Sequence, residues 1–273
     1  MGFNSEISWT RDTFNPFWGC TQVSPACDHC YANTFAHRMG FDLWGPAAPR
    51  RFFGDKHWSE PVKWNRLAER EGKRRQVFCG SMCDVMETHK DAAMNEQLNE
   101  ARERLYQLIE QTEWLDWMLL TKRPQEYRKK LPRPWRSTPR PNVWLMTTVE
   151  NEDYLWRADE LLKAPAAVYG LSIEPLLGPI QLPGAFLKLG GRGWVIVGGE
   201  SGQSARKMQS QWVRDLRDQC VDRGVPFHFK QWGTFGVGPD GGELVRLGVE
   251  KAGRMLDGRE WDEVPYYLGI LPS

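Results

Sequence analysis

"GWVIVGGESG", residues 193–202, is a run of Trp, Val, Ile and Val that opens directly into two glycines, a carboxylate and a serine. A strand apolar on both faces belongs inside a parallel sheet covered on both sides, whereas a half-exposed strand would alternate. Working outward, the same plan recurs in "QVFCGSMCDV" (76–85), "LDWMLLTKRP" (115–124), "NVWLMTTVEN" (142–151), "AAVYGLSIEPLLGP" (166–179) and "VPFHFKQWG" (225–233). Pro124 and Pro175 stop two of these runs. Between Asp91 and Thr112, Met94, Leu98, Ala101, Leu105, Leu108 and Ile109 recur at spacings of three and four, which predicts an amphipathic helix. "EISWT" (6–10) reads as a first strand and "YANTFAHRM" (31–39) as a helix. Ser210 reads as the cap of a later helix that Gly224 ends.

Strands that alternate with helices make parallel βα units. The fold class is therefore α/β, a full or partial parallel (β/α) barrel over residues 1–232, with an irregular insertion or lid near 40–75. Residues 233–273 read as a C-terminal extension packed over the barrel, with no assigned role. A chain of 273 residues suits one such domain. Lys plus Arg number 36 and Asp plus Glu 35, so no global field draws the chain to a polyanion, and only a local basic patch would do so. No apolar signal core and no run of about 20 apolar residues is present, and the expected location is cytoplasmic. In that reducing setting the six cysteines are poor disulfide candidates, and clustered ones more often bind metal or react. Fourteen tryptophans spread along the chain fill a core or line a pocket.

Parallel barrels carry their functional groups at the carboxyl ends of the strands. Here those ends hold Ser81 and Asp84, Thr121 with Lys122 and Arg123, Thr148 with Glu150, Ser172 with Glu174, Gly199 with Glu200, and Lys230 with Gln231. The loop "GCTQVSPACDHCYAN" (19–33) follows the first expected strand and adds Cys20, Cys27 and Cys30 at the spacing Cys-x6-Cys-x2-Cys. Three soft ligands are one short of a closed tetrahedral zinc site, which His29, His37 or Cys83 would have to complete. They suffice for a [4Fe-4S] cluster with one open iron. His29 stands between two of the thiols, badly placed to fold back onto the same metal. Cys220 and Cys79 read as small core residues; Cys83, at a strand end, is a candidate redox-active thiol. Lys122 and Arg123 either grip a substrate phosphate or belong to a solvated basic face.

"NPFWGCTQVSPACDHCYA", "LLTKRP", "LSIEPLLGPI", "VIVGGESG" and "VPFHFKQWG" occur in an order that resembles a phage-associated three-cysteine-motif protein family with radical-SAM-like features. The resemblance runs from the cysteine loop to about Gly233. It implies a barrel of the radical-SAM type, a [4Fe-4S] cluster on Cys20, Cys27 and Cys30, and S-adenosylmethionine chelating the open iron. Tyr31, Ser172, Glu174, Gly198, Gly199 and Glu200 become candidates for binding that cofactor, the two glutamates through the ribose or the methionine ammonium. Each glutamate has an alternative as an ion-paired barrel residue, and each glycine as a tight packing position. A reductant protein such as a flavodoxin or ferredoxin, and a nucleic-acid or nucleotide substrate, follow as expected partners. The loop departs from the common radical-SAM spacing, Cys-x3-Cys-x2-Cys, by three added residues, and its aromatic Tyr31 follows the last cysteine instead of preceding it. The other classes are a zinc- or cluster-stabilised nucleic-acid-binding protein without SAM chemistry, and a non-catalytic partner subunit. A reader of nucleic acid should show a basic stripe with interleaved aromatics.

Overall fold

The computed structural model describes residues 2–238 and 243–265. The strands in chain order are β1 (Asp12–Phe14), β2 (Phe17–Trp18), β3 (Arg51–Phe52), β4 (Arg75–Cys79), β5 (Leu115–Thr121), β6 (Val143–Thr148), β7 (Val168–Ile173), β8 (Gly193–Gly198), β9 (Phe227–Gln231), β10 (Phe235–Val237) and β11 (Leu244–Arg246). Seven of them form one parallel sheet in the order β1-β4-β5-β6-β7-β8-β9. The sheet curls into a half-barrel whose edges, β1 and β9, do not pair, so the partial barrel is the form adopted. β2 pairs with β3, and β10 with β11, as small antiparallel ladders.

The two-residue period of a strand sorts the apolar runs onto two faces. Val77, Leu119, Leu145, Leu171, Val197 and Phe229 face outward into the core that also holds Leu98, Leu105 and Leu216 of the helices. Phe78, Met118, Trp144, Met146, Val168, Trp194 and Ile196 face inward and form a second cluster with Trp9. Trp194 meets Trp9 and Trp144 edge to face, with ring centroids 6.1 and 5.8 Å apart. The concave face is thus floored by indoles, which is where several of the tryptophans go. A side chain at Gly170 would come within 2.6 Å of Met146, so the glycine in β7 makes room for this layer.

The helix Ala92–Glu110 buries Leu98, Ala101, Leu105, Leu108 and Ile109, the face its spacing predicts, and the Asp91 carboxylate caps it by accepting from the Met94 amide at 2.8 Å. Several expectations need correction. Residues 6–10 form no strand: Ile7 and Trp9 turn into the barrel floor, and the Thr10 hydroxyl accepts from the Phe78 amide at the place where a strand carbonyl would. The first strand is Asp12–Phe14. The segment near 40–75 is not irregular throughout, because it contains the helices Asp55–Trp58 and Glu60–Glu71. Pro61 opens the longer one, Gly72 at φ +62° closes it, and Trp64 and Ala68 are buried beneath it. Arg75 already belongs to β4. Ser210 is the first residue of the helix Ser210–Val221, not its cap; its hydroxyl accepts from Arg214.

The described part of the C-terminal extension covers the β9 side of the sheet. The Phe229 amide donates to the Trp261 carbonyl, and the Trp194 indole donates to the Glu263 carbonyl. Residues 239–242 and 266–273 of that extension lie outside the described residues. No helix among the described residues is long and apolar enough to cross a membrane.

The edge strand β1 is fixed by a two-toothed ion pair: Arg75 Nε and Nη2 donate to the two Asp12 oxygens at 2.8 Å each, with both side chains buried. Removing one partner of such a pair strands a buried charge, at a cost of about 3–5 kcal/mol. Asp12→Ala should lower the urea midpoint accordingly. A loss under about 1 kcal/mol would mean that the pair does not hold β1.

Candidate functional site at the barrel mouth

The polar strand ends converge. Ser81, Asp84, Thr121, Lys122, Arg123, Thr148, Ser172, Glu174, Gly199, Glu200, Lys230 and Gln231 all line one cavity of about 510 Å³, floored by Trp9, Phe78 and Leu120. Cys20, Cys27 and Cys30 form its facing wall, with Tyr31 beside them. Of the strand-end residues singled out from the sequence, Glu150 does not reach it: its carboxylate is buried against Arg157 at 2.8 Å.

Two short pairings seat the cysteine loop. Gly19 bridges to Cys83 in the turn after β4, and Cys20 bridges to Trp44. Gly19 has φ +110°, and a side chain there would lie 2.6 Å from the Leu43 carbonyl oxygen, so only glycine lets the two segments approach. A single 3-10 turn, Pro25–Cys27, then presents Cys27, and the helix Tyr31–Arg38 starts directly after Cys30. All three thiols are free.

Beneath the loop lies a network of buried charges. Arg123 donates to Asp84 at 2.7 Å and to the Thr21 carbonyl at 2.7 Å, and its Nη1 stands 3.9 Å from Cys20 Sγ. Arg50 grips both oxygens of Glu87, at 3.0 and 2.7 Å, with both side chains wholly buried, and donates to the Thr21 hydroxyl at 2.9 Å. Asp84 also accepts from the Thr121 hydroxyl at 2.6 Å and the Lys122 amide at 3.1 Å. Burial opposes ionisation of Asp84, but Arg123 and these donors outweigh it and hold the carboxyl below its usual range. Burial and then Asp84 push the Cys20 thiol up, with Arg123 pulling against them. A thiolate at Cys20 therefore needs a further positive partner.

The outer side of the loop is latched by Glu200. Its carboxylate accepts from Arg206 through the backbone amide at 2.7 Å and the guanidinium at 2.9 Å, and from His29 Nδ1 at 3.1 Å. Arg206 also donates to the Pro25 carbonyl at 2.9 Å. Glu200 is thus engaged with the cysteine loop and does not stand open across the mouth. Glu174 is ion-paired with Lys230. Gly199 is required by backbone packing, since a side chain would meet the Trp232 carbonyl at 2.0 Å; Gly198 lies against the Glu174 side chain, away from the lining. Tyr31 donates to the Ser81 carbonyl at 2.7 Å.

Arg123 is neither a solvated cation nor a free phosphate ligand, because the network holds it; Lys122 lines the cavity with no ion-pair partner among the described residues. Cys83 lines the cavity too; burial pushes its thiol well above the ordinary value, as it does that of Cys20, and its Sγ lies 3.9 Å from the Asn15 side-chain oxygen. Sequence reasoning missed Arg50, Glu87 and Arg206. Arg50 sits in a proline-rich stretch without periodicity, and Glu87 and Arg206 in irregular loops, so no spacing marks them.

The family described as "Protein of unknown function (DUF5131)" matches residues 4–265. The chain belongs to that family. The match spans the cysteine loop, the half-barrel and the described part of the extension. No curated protein and no solved structure matches.

Because the Asp84 carboxyl is lowered in the folded state, the folded chain binds fewer protons there than the unfolded chain. Its stabilisation is present above the unfolded value of about 3.9 and is lost as pH falls through the lower folded value. The midpoint of thermal unfolding should therefore fall between pH 5 and pH 2.5, and fall less steeply in Asp84→Asn. Identical acid limbs would remove Asp84 from the network's stabilising role.

Proposed function

We propose that this chain is an iron-sulfur enzyme of the radical-SAM kind, with a [4Fe-4S] cluster on Cys20, Cys27 and Cys30 and S-adenosylmethionine in the adjoining cavity. The observation that carries this reading is the wall of three free thiols facing a cavity at the carboxyl mouth of a parallel half-barrel. A cavity of about 510 Å³ lies within the range of roughly 300–1,000 Å³ for small-molecule sites. The likeness of its motifs to the phage-associated three-cysteine-motif family supports the same reading.

The donor set fits the group. Three soft thiols suit iron-sulfur or zinc, and the residues that would complete a zinc tetrahedron are engaged elsewhere. His29 is bonded to Glu200, His37 lies beside Asp42 on the surface, and the Cys83 thiol is buried near Asn15. When bound, the cluster and its sulfonium partner supply one-electron reductive cleavage to a 5′-deoxyadenosyl radical.

The chain's own residues position and shield. Arg123 sets a positive charge beside Cys20, which offsets the charge of a thiolate ligand. Glu174, with Lys230, and the unpaired Lys122 place charges of both signs at the mouth, for the ammonium, carboxylate and ribose of the cofactor. Ser172, at the strand ends, and Tyr31, beside the cysteines, add hydroxyls to the cavity lining, that of Tyr31 donated to the Ser81 carbonyl. The indole floor keeps water from the far end of the cavity. Glu200 passes from cofactor binding to holding the loop, and Glu174 takes its place. An electron-donor protein such as a flavodoxin or ferredoxin completes the system.

Anaerobic reconstitution should give a brown protein with about four iron and four sulfide per chain, lost alike in Cys20→Ala, Cys27→Ala and Cys30→Ala. With reductant and S-adenosylmethionine it should form 5′-deoxyadenosine. Glu174→Gln should weaken cofactor binding by roughly 10- to 100-fold with the cluster spectrum intact, on one charge-assisted hydrogen bond. Stoichiometric zinc without sulfide would overturn the assignment.

A further inference from the structure

We propose that residues 122–140, with Trp156, form a track for a single-stranded nucleic acid that leads a nucleotide to the cavity mouth; this rests on the reading of that cavity as the reaction site. The segment carries eight Lys and Arg residues and one carboxylate of its own, Glu126, in a chain whose net charge is +1; Arg123 is taken up by Asp84 and Lys130 donates to the Met86 and Glu87 carbonyls, which leaves the others for the surface. The rest of the chain is therefore net acidic, and the positive field is concentrated here. It begins inside the site, because Lys122 lines the cavity at the end of β5.

From there the chain is held rigidly along the surface. The Tyr127 hydroxyl donates to the Leu119 carbonyl at 2.6 Å and is within 2.9 Å of the Met146 carbonyl, while Trp135 packs edge-on against Tyr106 at 5.2 Å. Arg128, Lys129, Arg133 and Arg136 are exposed along this fixed backbone. Arg128 and Arg133 have no ion-pair partner among the described residues, and the Lys129 side chain is 76% exposed, 3.7 Å from Glu126. Arg136 is aimed by its bonds to the Leu131 and Lys129 carbonyls. The acidic neighbours are Glu126, shared with Lys130 at 3.4 Å, Glu113, 4.0 Å from Arg140, Glu110, which accepts from the Trp135 indole at 3.2 Å, and Asp84, paired with Arg123 at the mouth end; none of them lies against Arg128 or Arg133 in an ion pair among the described residues.

An exposed aromatic stands on the element that packs against the start of this segment. The helix Trp156–Leu162 packs against the turn Pro124–Glu126, and its first residue, Trp156, is 45% exposed. Cations along a fixed path beside an exposed indole match the way single strands are held, through the phosphates by charge and through the bases by stacking. Duplex fits less well, since a base inside a stack cannot enter a cavity at the barrel mouth.

The test is fluorescence anisotropy of a labelled single-stranded oligonucleotide, DNA and RNA in turn, with the intact chain between 50 and 200 mM KCl. Single strands should bind, with affinity falling as salt rises. The triple variant R128Q/K129Q/R133Q should lose at least about 10-fold and flatten the logarithmic salt slope by about 2, since each phosphate contact contributes about 0.7. Trp156→Ala should weaken single-strand binding about 5- to 100-fold with the slope unchanged. Absence of binding, tighter binding of duplex than of single strand, or a response to heparin equal to that of the oligonucleotide and indifferent to Trp156 would each overturn the proposal. Both variants should keep the iron content of the parent. Oligonucleotide binding by a chain that takes up no cluster would sink the radical reading and the delivery to a reaction site, whereas a loaded cluster with no binding would sink only the track.

Discussion

Four buried charges seat the cysteine loop on the barrel. Arg50 and Glu87 pair fully out of solvent, and Arg123 pairs with Asp84 one step nearer the mouth, with Glu87 3.9 Å away. Buried ion pairs are poor sources of net stability, because desolvating the charges costs about as much as their attraction returns. What they impose is geometry. Both guanidiniums donate to Thr21, one to its carbonyl and the other to its hydroxyl, so the residue after Cys20 is fixed to two separate parts of the chain. Sliding the loop would leave a buried charge without its partner, and that penalty, more than any single contact, holds the three thiols on the cavity wall.

The half-barrel supplies the opposite wall by a simpler rule. Strands alternate their side chains, so a run that is apolar throughout buries one half against helices and the other against the indole floor, and polarity appears only where the run stops. Six such ends therefore meet at one level of the mouth. The Glu200 latch then ties the end of β8 back to the cysteine loop through Arg206 and His29. Loop and strand ends become one unit, and the cavity between them is walled from both sides.

Much of this was legible in the residues. The strands β4 to β9 and the helix Ala92–Glu110 were marked by period and by stop signals, and the convergence of strand ends follows from the parallel fold. Three things were not legible. "EISWT" has a strand's alternation, but Ile7 and Trp9 belong to the floor, and only the tertiary environment decides that. The helix Glu60–Glu71 was masked by the proline-rich stretch before it, although Pro61 and Gly72 mark its ends. Residues that position others, such as Arg50, Glu87 and Arg206, carry no periodic or motif signal, since their partners are distant in sequence. Glu200 and Arg123 were found as site residues with two roles left open, because a charge looks the same in a sequence whether it faces a ligand or a neighbour.

The claim on which the rest turns is that the thiols of Cys20, Cys27 and Cys30 leave one metal position open to the cavity. Mössbauer spectroscopy of protein reconstituted with iron-57, with and without S-adenosylmethionine, addresses it directly. One iron of the cluster should separate from the other three when the cofactor is added, with the change abolished by Glu174→Gln at subsaturating cofactor. Spectra that do not respond to the cofactor at saturation, or iron held singly without sulfide, would place the chemistry of this cavity elsewhere.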